Sequence, residues 1–184
     1  MDHYLDIRLL PEEPEVSESF LLNALFAKLH VRLGQQAQGR VGVSFPDHHK
    51  RLGDLLRLHG QRTDLQALMA DDWLQGLKGY TQCSEVLPIP ATVSYRAVKR
   101  VQAKSAHNKR QRSIAKGWLT ESEAQIRIPD TQQKELHLPF VQLKSRSNGQ
   151  MMRVYVEHGP VLAVPVSGYF NAYGLSSIAT IPWF

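Results

Sequence analysis

A basic stretch without acidic residues is the part of this sequence best suited to bind another molecule. Residues 86–120 contain no Asp or Glu and eight Lys or Arg. The whole chain has a formal net charge of +5, so the remaining residues are together net negative. A solvated helix usually mixes both signs, whereas cations alone indicate a polyanionic ligand, with nucleic acid the first candidate. The basic residues are Arg96, Lys99, Arg100, Lys104, Lys109, Arg110, Arg112 and Lys116.

The spacing within this stretch predicts two kinds of contact. Lys109, Arg112 and Lys116 lie at i, i+3 and i+7, which places them on one helix stripe about 10 Å long. Arg100 and Gln102 share one face of an extended segment, because alternate side chains point the same way. Arg can bind a guanine edge with two hydrogen bonds and Gln an adenine edge. The simpler alternative is that this pair contacts only phosphate or water.

Histidine is the residue type here that can transfer protons near neutral pH. The adjacent pair at 48–49 resembles metal ligands, but no other spacing supports a site, so we expect neither a metal nor a cofactor. His30 lies in the last turn of a predicted helix, beside Phe26 and Leu29. It is either a packed core residue or a general acid–base group. The small polar run 145–150 is either a hairpin turn or a loop that contacts phosphate and ribose, and 173–176 is a similar case.

The elements that position these residues predict an α+β protein. The first half reads β-α-β-β-α-β, a ferredoxin-like arrangement. Its strands are predicted at 4–10, 41–45, 52–58 and 80–87, with helices from Ser17 to Leu33, closed by Gly34, and from Thr63 to about Gly79. Prolines at 88 and 90 mark the composition shift, so we predict a ferredoxin-like domain at 1–94 and a second domain at 95–184 that contains the basic stretch; the family resemblance given below implies that this second domain binds RNA.

The second half is predicted to contain a basic helix and small antiparallel strands. The basic helix covers about 106–116, and residues 120–123 have capping-box spacing, which begins a short second helix. Strands are predicted at 140–144, 151–157, 161–166 and 169–173. Cys83 is the one cysteine, and no run approaches the ~18 apolar residues of a membrane span. We therefore expect a cytoplasmic protein without membrane contact.

Several motifs together resemble a known family, the CRISPR repeat endoribonucleases of type I-F systems (Csy-four, or Cas-six-f). The resemblance covers essentially the whole chain. The motifs are Met-Asp-His-Tyr-Leu-Asp-Ile-Arg at 1–8, Lys-Leu-His at 28–30, Gly-Val-Ser-Phe-Pro at 42–46, Arg-Val-Gln-Ala-Lys-Ser at 100–105, Ile-Pro-Asp-Thr at 128–131, Tyr-Gly-Leu-Ser at 173–176 and Pro-Trp-Phe at 182–184.

The resemblance implies an enzyme that cuts CRISPR precursor RNA at the base of each repeat hairpin and stays bound to the product. It implies an active site of His30, Ser145 and Tyr173, and a helix that lies in the major groove of the hairpin. The residues predicted to contact RNA are Arg100, Gln102, Lys104, Lys109, Arg110, Arg112, Lys116, Ser147, Asn148 and Met152. It also implies that the chain is a monomer when alone and joins other subunits of the type I-F interference complex.

Two departures from the family pattern alter the expected contacts. Ser113 and Gly117 stand where the family has arginines. Lys116 replaces a further arginine, and lysine keeps the positive charge but cannot form the two parallel hydrogen bonds of a guanidinium. Met152 stands where an aromatic residue stacks on the closing base pair of the stem, and its thioether covers a base less well. We expect tight binding with different contacts or a different stem.

The implied chemistry needs no metal, because RNA carries its own nucleophile. We expect His30 to deprotonate the 2′-hydroxyl, Ser145 to hold the ribose and Tyr173 to orient the imidazole. The products would be a 2′,3′-cyclic phosphate and a 5′-hydroxyl. The main alternative is a non-catalytic module that binds an RNA hairpin within a ribonucleoprotein. A duplex-DNA binder is less favoured, since the sequence has no helix-turn-helix, zinc or zipper pattern.

Overall fold

The chain forms two compact units. A computed structural model describes residues 1–10, 16–102, 106–129, 136–144 and 149–184. One unit comprises Met1–Arg100 with Leu138–Phe184, and the other comprises Val101–His137. Within the described ranges, no helix is long and apolar enough to cross a membrane. The domain boundary that the sequence suggests between residues 94 and 95 stays a prediction.

The first unit contains the ferredoxin-like sheet that the sequence predicts. The strands follow the order β2-β3-β1-β4, with β5 also paired to β1, and all of these pairs are antiparallel. Their bounds are β1 His3–Leu9, β2 Gly42–Ser44, β3 Leu55–Gly60, β4 Thr81–Cys83 and β5 Leu87–Pro88. Helices α1 (Glu18–Arg32) and α2 (Arg62–Met69) connect them in the predicted β-α-β-β-α-β order. The predicted fold class is therefore confirmed.

Helix α1 runs further than its glycine stop signal predicts. It begins where the Ser17 hydroxyl accepts a hydrogen bond from the Phe20 amide at 3.2 Å, as expected of an N-cap. The helical chain then passes Gly34 and continues through a π-helical turn, Leu33–Ala37, to Gln38 in the left-handed region. Leu33 and Ala37 are buried, and burial of apolar surface stabilises the extra turn.

Helix α2 is shorter than predicted. It ends at Met69 instead of near Gly79, and a 3-10 turn follows at Lys78–Tyr80. Between them the chain forms successive turns, in which the Leu74 carbonyl accepts a hydrogen bond from the Leu77 amide at 2.8 Å. Leu74 and Leu77 are buried, so the periodicity that suggests a longer helix reflects turns packed on the core.

The strands that follow β5 contribute to the same core as the ferredoxin-like sheet. Strands β7, β9 and β8 form one sheet in that order, and β6 pairs with β10. Their bounds are β6 Ser94–Arg96, β7 Val98–Val101, β8 Phe140–Lys144, β9 Met151–His158 and β10 Ile181–Trp183. Val141 and Val154 belong to the same buried cluster as Leu25. The Asn23 side chain accepts a hydrogen bond from the Gln142 amide at 2.7 Å, which ties β8 to α1.

Two predicted strands, 161–166 and 169–173, are wrong. In the first, only Leu162 pairs, in an isolated bridge with Tyr95, and Pro160 and Pro165 have no amide proton for a ladder. In the second, the Asn171 side chain accepts hydrogen bonds from nearby amides and holds a turn. The sequence does not predict the strand β10, because Pro182 lies within it and proline is typically absent from strand interiors.

Among the described residues of the second unit, two segments are helical: α3 (Ala106–Ala115) and α4 (Glu121–Arg127). The predicted basic helix is confirmed as α3. The predicted capping box is present at the start of α4, where the side chains of Thr120 and Glu123 accept hydrogen bonds from each other's amides at 3.3 and 2.9 Å. The Arg110 guanidinium donates to the Ile128 carbonyl at 2.7 Å, which links α3 to the end of α4.

Candidate active site

Helix α1 presents His30 at the end of its buried face. Leu22, Phe26 and His30 follow one another at intervals of four residues and therefore lie along one stripe. Leu22 and Phe26 are buried, whereas His30 is half-buried. The imidazole consequently lies where the core meets solvent, in reach of both protein groups and a ligand.

One hydrogen bond determines which nitrogen of His30 is free for chemistry. The Nδ1 atom lies 2.8 Å from the backbone carbonyl oxygen of Ala172. A carbonyl only accepts, so Nδ1 carries the proton. In the neutral ring the lone pair is then on Nε2, which can accept a proton from a substrate and return it.

The ring of Tyr173 lies parallel to this imidazole. The two ring centroids are 4.2 Å apart and the planes differ by 7°. The Phe26 ring is also nearly parallel to Tyr173, with centroids 6.3 Å apart and an angle of 6°. The hydrogen bond and the stack together restrict the orientation of the His30 ring.

The loop that carries Tyr173 is held by its own side chains and by strand β2. The Asn171 side chain accepts hydrogen bonds from the amides of Tyr173 and Leu175, at 2.8 and 3.2 Å. Gly174 has φ +70°, and an added Cβ there would collide with Val43. The Gly174 carbonyl accepts a hydrogen bond from the Val43 amide at 2.8 Å. This position therefore requires glycine, which fixes the loop against the sheet.

Arg100 reaches the same ring from strand β7. Its guanidinium carbon lies 4.8 Å from the centroid of Tyr173, a cation–π distance. The Nε atom is buried and has no acceptor among the residues described. His30, Arg100 and Tyr173 are far apart in sequence, and the structure brings all three together.

Sequence reasoning missed two residues of this cluster, Asn171 and Ala172. Ala172 contributes only a backbone carbonyl, so its side chain leaves no signal. Asn171 does leave one, because Asn followed by Gly three residues later is typical of a turn. The interpretation of 169–173 as a strand concealed that signal.

Four of the predicted residues lie outside the described residues. They are Lys104, Ser145, Ser147 and Asn148. Strand β8 ends at Lys144, the residue before Ser145. Met152 is half-buried in β9 and packs against the core, on the same face of the strand as the buried Val154. Its proposed contact with the stem stays a prediction.

The predicted cations of the second unit differ in their surroundings. Arg112 and Lys116 are exposed, and Lys109 is half-buried. The Lys116 ammonium lies 4.4 Å from the centroid of Trp118, whereas Arg110 donates to the backbone of α4. Gln102 is also exposed. Exposed cations on a helix suit the phosphates of a nucleic acid.

The imidazoles of His48, His59 and His158 pack against other residues of the first unit. The Nδ1–H of His48 donates a hydrogen bond to the Phe45 carbonyl at 2.8 Å. The His48 ring stacks on His158 with centroids 3.6 Å apart. His59 is fully buried and lies 2.8 Å from the Ser44 hydroxyl. Burial lowers the pKa of both His59 and His158 to about 3. Within the described ranges, no group of three or more His, Cys, Asp or Glu could hold a metal ion.

Comparison with known proteins gives one family and full-length relatives. The family described as CRISPR-associated protein (Cas_Csy4) matches residues 4–184. A CRISPR-associated endonuclease Cas6/Csy4 of Escherichia coli (strain UTI89 / UPEC) is 50% identical over 185 residues, which cover 100% of both chains. A protein of the same name from Pseudomonas aeruginosa (strain UCBPP-PA14) is 47% identical over 188 residues, again covering 100% of both chains.

Proposed function

Because the chain belongs to the Cas_Csy4 family of CRISPR-associated proteins, we propose that it is an endoribonuclease that processes CRISPR precursor RNA. The observation that carries the proposal is the hydrogen bond from His30 Nδ1 to the Ala172 carbonyl. It leaves Nε2 as the proton acceptor at the edge of the core. The full-length relatives named as CRISPR-associated endonucleases support the same activity.

The reaction is an internal attack by RNA on its own backbone. His30 Nε2 takes the proton of the 2′-hydroxyl, and the 2′-oxygen bonds to the neighbouring phosphorus. The bond from phosphorus to the 5′-oxygen breaks, and that oxygen takes up a proton. The products are a 2′,3′-cyclic phosphate and a 5′-hydroxyl, and no metal enters the step. Positioned proton transfer of this kind contributes about 100- to 10,000-fold in rate.

Two further side chains position the reacting groups. Tyr173 holds the plane of the imidazole through the 4.2 Å stack. Ser145, by its resemblance to the family serine, holds the ribose in the reactive pucker. Alignment of this kind lowers the barrier because the entropy of orienting the reactants is lost on binding instead of during the reaction.

Recognition of the RNA is assigned to Arg100, Gln102 and the exposed face of α3. The cut lies at the base of the repeat hairpin, Arg100 and Gln102 read bases beneath the stem, and the cations of α3 contact its phosphates. The protein stays on the product hairpin and joins other subunits of the type I-F interference complex. Alone, it is a monomer.

A cleavage assay in excess EDTA tests this function. The substrates are a type I-F repeat RNA and the same RNA with a 2′-deoxy nucleotide just upstream of the cut. We expect one cut beneath the hairpin, a 2′,3′-cyclic phosphate end, and co-elution of the cut hairpin with the protein on gel filtration. The deoxy RNA should bind and remain whole, because it lacks the nucleophile.

Two other results would overturn the proposal. Binding of both RNAs without a cut, with or without magnesium, would indicate the non-catalytic hairpin-binding module. Cutting of the all-ribose RNA that appears only after magnesium is added would indicate metal-dependent hydrolysis.

A further inference from the structure

We propose that Arg100 is a positioning residue for His30 that acts through the ring of Tyr173, so that RNA recognition and RNA cutting are coupled in one stack of side chains. This inference rests on the function proposed above. It assigns Arg100 a second role, beyond its expected contact with a base, and it predicts that a charge-conserving substitution lowers the cutting rate more than the affinity for RNA.

The stack joins three separate parts of the first unit. His30 comes from α1, Arg100 from β7 and Tyr173 from the loop before β10. The Tyr173 centroid lies 4.2 Å from the His30 centroid and 4.8 Å from the Arg100 guanidinium carbon. The backbone of Tyr173 is held by Asn171, but the ring of Tyr173 is held by the side chains that cover it. Removal of either neighbour therefore leaves the ring more free to turn.

A guanidinium can contact a ring and a base at the same time. It is planar, its five N–H groups all point outward in that plane, and its flat face stacks on aromatic rings. The buried Nε of Arg100 has no acceptor among the described residues. An RNA acceptor would satisfy its unused donors and fix the guanidinium plane. The plane in turn fixes the Tyr173 ring, and through it the imidazole of His30.

Lysine cannot replace arginine in this role. Its ammonium is a compact point charge without a flat face or a rigid fork. An Arg100→Lys variant should therefore retain part of the attraction to RNA, whereas the ring of Tyr173 loses the planar group that packs on it. The rate of cutting at saturating protein should fall more than the affinity for RNA.

A double-mutant cycle on the cutting rate tests the coupling. The variants are Arg100→Met, Tyr173→Leu and the double variant, measured in single turnover with protein in saturating excess over RNA. We expect both single variants to cut more slowly and the double variant to be no slower than the slower single one. The resulting non-additivity should be about tenfold, within the range for side chains in contact.

A spectroscopic measurement on RNA-free protein separates this role from alignment of the substrate. The ring resonances of His30 should shift in Arg100→Met, because the Tyr173 ring that shields them has moved. Arg153→Met is the matched control: Arg153 lies over Phe140 at 4.7 Å, the same kind of contact on a different ring. It should leave both the His30 resonances and the cutting rate unchanged. Thermal melting of each variant checks that it is folded.

The outcomes distinguish failure of this inference from failure of the proposed function. If wild type cuts RNA but the effects of the two substitutions multiply, or the His30 resonances do not move in Arg100→Met, Arg100 has no positioning role. If wild type does not cut, the proposed function fails, whereas the resonance shift still reports whether the stack couples Arg100 to His30.

Discussion

Two imidazole stacks in the described part of the first unit are similar in local geometry and differ in their surroundings. In one, His30 stacks on Tyr173 with Arg100 over the same ring. In the other, His48 stacks on His158 beside Trp183, and Arg96 lies over the indole at 4.6 Å. Each stack has one imidazole Nδ1 bonded to a backbone carbonyl.

The two stacks differ in what surrounds the second ring. His158 has both ring nitrogens buried without a hydrogen-bond partner in the described part of the chain. Burial lowers its pKa to about 3, with smaller contributions from the charges of His48 and Arg96. Burial also lowers the pKa of His48. In the first stack the second ring is instead the phenol of Tyr173, which lies 4.2 Å from the half-buried imidazole of His30.

Stacking alone does not make an imidazole a proton-transfer group. A proton-transfer group needs an accessible lone pair and a fixed ring. The half-buried His30 has its Nδ1 bonded and its ring stacked at the edge of the core, whereas both ring nitrogens of His158 are buried.

Substitution of the imidazole should have the largest effect, and only in one stack. His30→Ala should lower the single-turnover cutting rate about 100- to 10,000-fold, because positioned proton transfer contributes that much. Affinity for the hairpin, measured by filter binding, should be retained. The control His158→Phe keeps a flat ring in the other stack and should cut RNA at the wild-type rate. Equal losses in the two variants would abolish the distinction between the stacks.

The loop beneath Tyr173 should be the next most sensitive feature. Gly174→Ala places a Cβ against Val43 at a position with φ +70°. Backbone strain and overpacking each cost about 1–3 kcal/mol, and displacement of the ring should slow cutting about tenfold, the equivalent of about 1.4 kcal/mol. Denaturant unfolding and single-turnover cutting measure the two effects.

Gly76→Ala is the control for that substitution. Gly76 has a similar φ of +81° but nothing within 4 Å of an added Cβ. It should therefore lose stability through strain alone and cut RNA normally. A cutting defect of equal size in Gly76→Ala would show that general destabilisation, and not the Tyr173 loop, slows the reaction.

The buried histidines should make stability depend on pH. In the folded chain the pKa values of His59 and His158 are about 3, whereas an unfolded histidine titrates near 6.5. Between these values the unfolded chain binds protons that the folded chain does not. The contribution of these histidines to the free energy of unfolding is therefore complete above about pH 6.5 and is lost as the pH falls toward 3. Denaturant unfolding at pH 7, 6 and 5 measures the slope.

His158→Phe sharpens that measurement. It removes one of the histidines whose pKa is lowered in the folded chain, so the free energy of unfolding should fall less steeply with decreasing pH, by up to about 1.4 kcal/mol per pH unit. An unchanged slope would mean that His158 titrates normally in the folded protein, and the contrast between the two stacks would then lose its electrostatic basis.

The smallest effect should come from the Tyr173 hydroxyl. Tyr173→Phe keeps the ring stacked on His30, and the hydroxyl forms no hydrogen bond to the residues that the structure describes. Cutting in single turnover should change by about twofold or less, as for a substitution that removes no buried contact. A loss as large as that of His30→Ala would assign the hydroxyl a direct role in proton transfer.

The amino-acid sequence by itself determined the ferredoxin-like arrangement and the basic helix. Alternation in β1, the cap at Ser17 and the capping box at Thr120 are local signals that each depend on a few neighbouring residues. The family resemblance named His30, Arg100 and Tyr173 in advance. Local signals failed where packing opposed them, as at Gly34, where the helical chain continues because Leu33 and Ala37 are buried.

Only the tertiary structure decided which nitrogen of His30 is available and what holds its ring. The Ala172 carbonyl is 142 positions away in sequence, and a backbone group leaves no trace in composition or periodicity. The same holds for the Arg100 guanidinium over Tyr173. Contacts of this kind depend on how α1, β7 and the 171–174 loop pack, and packing is a property of the whole core instead of any segment.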